Sequence, residues 1–277
     1  MARQRVRARG RFWGFLLLFA AIVGVYAESR HFMAAPAVTH PTLSARPKSG
    51  TGDPRPKVKV TPPLPTRYLI RVPALDQYPQ LPNGCEVTSL AMLMAAVGHP
   101  MSKMTLAAEM PKDPTPLRLS TTTNADGQAV HHVAFWGNPN VGFVGSVYRA
   151  GYGYGIYHGP MVRFLNRLLP GRAEDLTGSA FSVVLRHVAT GIPVEVWTTT
   201  TFHPTTDWVT WQSPEGPVRA TPLEHAVLIV GYATGVLYIN NPLNGQAAEP
   251  VAEAPFLQSW RQLGKQAITV RNGSGGR

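Results

Sequence analysis

Three observations in this sequence predict an α+β domain, an N-terminal helical part packed on a C-terminal antiparallel sheet. In the first half of the folded region, apolar residues recur at helical spacing, at Val87, Leu90, Ala91, Met94 and Val97. Across residues 193–270, short runs rich in β-branched and aromatic residues alternate with turn signals. Helices that come first and strands that come later favour antiparallel pairing with the helices on one side. The chain has 277 residues, 44% hydrophobic and 9% aromatic, which is enough to bury a sizeable core in one or two domains.

The elements follow in order. RYLIRV (67–72) reads as an entering strand stopped by Pro73. Residues 86–97 form a helix ended by Gly98 and Pro100, and SKMTLAAEM is a short second helix capped by Ser102. The Gly- and aromatic-rich stretch 135–157 reads as irregular structure around a site. GPMVRFLNRLLPG and SAFSVVLRHVATG are amphipathic helices, each closed by glycine. PVEVWTT, WVTW, HAVLIVGY and VLYIN are strands, followed by a helix near APFLQSWRQL and a last strand AITV.

The formal net charge of +11 is unevenly distributed. Residues 1–71 hold thirteen Lys/Arg against two acidic residues, and residues 72–277 hold thirteen of each sign. A neutral folded region has no basic footprint for nucleic acid, so no nucleic-acid partner is expected. Five arginines between Arg3 and Arg11 precede sixteen uncharged residues, 12–27, so residues 1–33 are expected to be a signal peptide or a membrane anchor. Either role puts the remainder outside the cytoplasm, membrane-anchored or secreted. Residues 34–66 contain eight prolines and few large apolar side chains, the composition of a semi-extended basic linker. Anionic cell-wall polymers or a membrane surface are candidate partners for that segment, and plain solubility is the other reading. The folded domain is expected over 67–271, with 272–277 a frayed tail.

Cys85 is the only cysteine, so no intramolecular disulfide forms. It follows the turn pair Asn83-Gly84 and begins a helix, where unpaired N–H groups and the helix dipole favour thiolate. Glu86 beside it opposes that charge. A nucleophilic cysteine needs a base and a group that orients the base. The strands HAVLIVGY and VLYIN are joined by Ala233-Thr234-Gly235, and a hairpin centred on Thr234 brings His225 directly or diagonally opposite Asn241. Asn240 points to the other face.

The stretches VPALDQYPQLPNGCEVTSLAMLM, FWGNPNVGFVG, GIPVEVWTT, LEHAVLIVGY and INNPLNG run in one order over most of residues 70–270. In that order they resemble the papain-like cysteine peptidases of the C-thirty-nine-like group, related to the bacteriocin leader peptidases. The resemblance implies a papain-like fold with Cys85 as nucleophile, His225 as base, Asn241 as orienting residue and Gln77 as oxyanion-hole donor with the Cys85 backbone N–H. Gln80 is the fallback donor. Members of the group usually carry aspartate where this chain has Asn241, so geometry is expected to be kept and base strength reduced.

The expected function is therefore an exported or tethered cysteine peptidase-like hydrolase acting on peptide or protein amide bonds. A weakly active or inactive module that binds peptide or cell-wall material is the alternative. His131 and His132 lack further ligands at useful spacing, and no metal or other cofactor is expected. The aromatic residues of 136–145 and 152–157 either wall a peptide cleft or pack.

Overall fold

The structure, a computed structural model, describes residues 63–271. The expectations for the leader, for the frayed tail and for all but the end of the linker lie outside the described residues. Among the described residues, no helix is long and apolar enough to cross a membrane.

The first half carries β1 (Tyr68–Leu69), α1 (Cys85–Ala96), α2 (Lys103–Glu109), β2 (Lys112–Asp113), β3 (Arg118–Thr123), β4 (Ala129–Phe135) and β5 (Phe143–Val144). Next come α3 (His158–Leu168), β6 (Ala173–Asp175), α4 (Phe181–Ala189) and β7 (Val194–Thr199). The last part holds β8 (Val209–Ser213), β9 (Gly216–Ala220), β10 (Glu224–Ala233), β11 (Val236–Asn241), β12 (Gln246–Ala252), α5 (Glu253–Gln262) and β13 (Ala267–Val270). A seven-stranded sheet runs β12-β11-β10-β7-β13-β6, with β1 added antiparallel to β10 at Tyr68↔Tyr232. Every pairing within it is antiparallel, and the class is α+β as the element order predicts.

The two central strands are buried on both faces, and their side chains separate two cores. Ala226, Leu228 and Val230 of β10 pack with Trp197 of β7 against α1 and α3, among them Leu90, Met94 and Phe164. Val227 and Ile229 pack with Val194 and Val196 against α4 and α5, among them Val184, Val188, Phe256 and Trp260. Each fully buried Leu, Val or Phe here is worth about 1.5–3 kcal/mol relative to exposure. Helices thus cover both sides of the sheet, rather than one side only.

Two details differ from the sequence reading for physical reasons. Helix α1 was expected to bury one face, yet every residue from Cys85 to Met94 is buried, including Glu86, Thr88 and Ser89. A helix enclosed by sheet, neighbouring helix and loops reads as apolar nearly all round. A second sheet, β3-β4-β8-β9, stands apart. Its β3 strand is exposed along its whole length, so the burial alternation that marks a strand is missing from it.

Candidate active site

The turn before α1 fixes where Cys85 lies. Asn83 donates from Nδ2 to the carbonyls of Ser146 and Arg149, both at 2.7 Å, which ties the turn to the following loop. Gly84 is the N-cap, and a Cβ there would lie 2.5 Å from Leu81 Cβ, so the turn closes only on glycine. Cys85 then opens the helix against Ala226 of β10. Ser89, one turn on, donates to the Ala226 carbonyl at 3.3 Å.

Cys85 is 7% exposed, and its thiol donates to Glu86 Oε2 at 3.3 Å. The other oxygen of Glu86 accepts the Ile156 backbone N–H at 2.8 Å. Glu224, next to His225 on β10, aims at the same spot: a Cβ on Gly155 would lie 2.5 Å from Glu86 Oε1 and 3.0 Å from Glu224 Oε2. The potential ligand atoms of Cys85, Glu86 and Glu224 lie within 4.8 Å of one another, the one such group of three among the described residues. The sequence reading weighed Glu86 alone against the helix dipole. Here burial first, then Glu86 and Glu224, push the Cys85 thiol well above its ordinary range, and the Ala226 backbone amide opposes this only in part. Burial also raises Glu86 to about 7, against its bonds to backbone N–H and to the thiol, and pushes Glu224 well up. At rest the sulfur is a thiol, so the expected thiolate preference of the helix N-terminus is overridden.

His225 and Asn241 are brought together as the hairpin arithmetic predicts. The turn itself is the two residues Thr234-Gly235, which pairs Ala233↔Val236. A bulge between Ile229 and Gly231 shifts the register by one, so Leu228 faces Asn240 and Asn241 comes diagonally to His225. His225 Nε2 donates to Asn241 Oδ1 at 3.0 Å, which leaves Nδ1 as the free ring nitrogen. Phe202 flanks the ring, 6.4 Å between centroids. His225 is 1% exposed, and burial lowers it to about 4 despite the Asn241 bond and the nearby Glu249 carboxylate. Among the described residues no hydrogen bond joins Cys85 to His225; the thiol's bond runs to Glu86.

Two neighbours of Asn241 complete the site. Its Nδ2 donates to Glu249 Oε2 at 2.8 Å, which fixes Oδ1 toward the imidazole. Glu249 was missed because it lies on β12, a strand whose alanine-rich sequence, QAAEPVA, carries little strand signal. Asn240 behaves as expected of the opposite face, donating to the Val72 carbonyl at 2.9 Å. Gln77 is buried, and its backbone N–H donates to the carbonyl of Pro242, the residue after Asn241, at 2.8 Å. Its Nε2 donates to the Pro82 carbonyl at 2.9 Å and its Oε1 has no partner. Gln80 is exposed. His131 and His132 lie on the exposed hairpin, bonded to Thr121 and Thr122 at 2.9 Å. Tyr154 packs edge to face on Trp211, Trp136 lies tilted against the same indole, and the Tyr154 and Tyr157 hydroxyls share a 2.7 Å hydrogen bond.

A cysteine opening a buried helix, a histidine on the facing strand and an amide on the next strand belong to a papain-like domain. The chain is a member of the Peptidase_C39 like family, whose model matches residues 69–268. It is 35% identical over 193 residues to the uncharacterized protein YvpB of Bacillus subtilis strain 168, over 70% of this chain and 71% of that one. It is also similar to a crystal structure from Bacillus anthracis assigned as a C39-like peptidase. That match has 37% identity and a TM-score of 0.65, and covers 76% of this chain and 99% of the other.

Proposed function

We propose that this chain is an exported or membrane-tethered thiol hydrolase that cleaves amide bonds in peptides or proteins. The observation that carries the reading is the His225–Asn241 pair at 3.0 Å, one residue from Ala226 of β10, whose carbonyl accepts from Ser89 on the second turn of α1. With Nε2 held by Asn241, Nδ1 is the ring nitrogen left to take a proton. As substrate seats, the thiol leaves Glu86 for His225, gives up its proton to Nδ1, and attacks the carbonyl carbon. The oxyanion is met by the Cys85 backbone N–H and the Gln77 amide. His225 then protonates the departing amine, leaving a thioester on Cys85. Water, deprotonated by His225, releases the acid and restores the thiol.

The test is degradation of fluorescein-labelled casein by the full-length protein, run beside release of fragments from purified peptidoglycan. Cys85→Ala is expected to abolish whichever activity is present. Activity that survives the substitution overturns the assignment. Binding to either substrate with no turnover by the wild type points instead to a binding module.

A further inference from the structure

Asn241 differs from a carboxylate in carrying no charge to stabilise the imidazolium that forms during turnover. A carboxylate nevertheless stands one bond away. Glu249 Oε2 accepts from Asn241 Nδ2 at 2.8 Å and from Asn244 Nδ2 at 3.2 Å. The backbone is distorted to deliver it there. The β11–β12 register slips between Ile239 and Asn241, so Ile239 pairs with Glu249 while Asn241 pairs with Gln246. One extra residue of β12 bulges out, and Ala248 takes φ +50°, in the left-handed region that is strained for a non-glycine residue. The Ala248 N–H is held in that bulge by Asn240 Oδ1 at 3.0 Å. The next residue's side chain then falls on the face of β11 that carries Asn241.

From this geometry we infer that Glu249 is a positioning residue for His225, acting through Asn241. Its carboxylate fixes the amide so that Oδ1, not Nδ2, meets the imidazole, and its charge stabilises the imidazolium across the amide. The chain His225–Asn241–Glu249 divides between two residues what one carboxylate would supply. Among the described residues, the ionisable groups set against His225 are Glu249 beyond Asn241, Cys85 where α1 meets β10, and Glu224, its strand neighbour on the opposite face. Of these, Glu249 is the carboxylate joined to the ring by a continuous hydrogen-bond path. The role rests on His225 being the base proposed above.

The test is NMR titration of the His225 imidazole in full-length protein, which needs no substrate, combined with casein hydrolysis. Glu249→Gln is expected to lower the His225 midpoint by half a unit or more and to slow hydrolysis at pH 7 about three- to tenfold. Moving the charge inward with Asn241→Asp in the Glu249→Gln background is expected to restore both to wild-type values or above. The role is overturned if Glu249→Gln leaves the midpoint unchanged, or if the double variant stays as low as Glu249→Gln. The rescue separates this role from a fold defect, which a second substitution at the same site would worsen. If casein is never cleaved, the proposed hydrolase reading fails while the titration still decides the coupling.

Discussion

The Cys85 thiol donates its hydrogen to Glu86 Oε2 at 3.3 Å, so the candidate nucleophile rests on a carboxylate and not on its histidine. Burial does most to keep the sulfur protonated, and Glu86 is the neighbour that adds most to it before substrate arrives. Two things act on the sulfur from that side, the acceptor for its proton and the charge of Glu86 and Glu224.

Glu86→Gln removes the charge and replaces the carboxylate acceptor with an amide, whose oxygen is a weaker acceptor for the thiol and whose N–H can donate to the thiolate. The expected result is a thiol midpoint lower by about one unit, and iodoacetamide alkylation at pH 8 about tenfold faster, since thiolate is the reacting form. In the wild type, Glu86 loses its proton near pH 7, so the rate is expected to level off there and rise again at higher pH. The variant should show a single rise. A slower variant would mean that Glu86 draws the proton off the sulfur instead of holding it there.

Glu195 is fully buried in β7, and neither carboxylate oxygen has a partner among the described residues. Burial, with Glu86 nearby, pushes its pKa well above the ordinary 4.5. A carboxyl group whose folded value is raised binds more protons folded than unfolded, so its contribution to stability falls as pH rises above that ordinary value. Glu195→Gln lacks this dependence. Its melting temperature is expected to match wild type near pH 5 and to exceed it by at least about 4 °C at pH 8, at about 2–4 °C per kcal/mol for a domain of this size. Scanning calorimetry at the two pH values checks it; equal differences at both would contradict the buried-charge explanation.

The parts of this molecule that were legible in the sequence are those where local chemistry and tertiary packing agree. Asn83-Gly84 forecast the turn before Cys85, and hairpin counting placed Asn241 directly or diagonally opposite His225, because turn residues and strand period act locally. The Ser102 cap holds as well, its side chain accepting from Thr105 N–H. What could not be read depended on distant chain. Part of the acidity around Cys85 comes from Glu224 on a strand about 140 residues away, and the placement of Glu249 depends on a bulge that no residue type announces. The β3–β4 hairpin, RLSTTT followed by AVHHVAF, has no fully buried position, so no alternating buried face marks it as strand.

The central claim is that His225 acts during turnover while burial and Glu86 keep the sulfur protonated at rest. The most direct test is the casein hydrolysis rate of full-length His225→Ala, divided by its rate of alkylation with iodoacetamide at the same pH and compared with wild type. The account predicts that this ratio falls at least about a hundredfold, with alkylation within about twofold of wild type. A ratio that stays near the wild-type value, because hydrolysis survives or because alkylation collapses with it, would contradict the account.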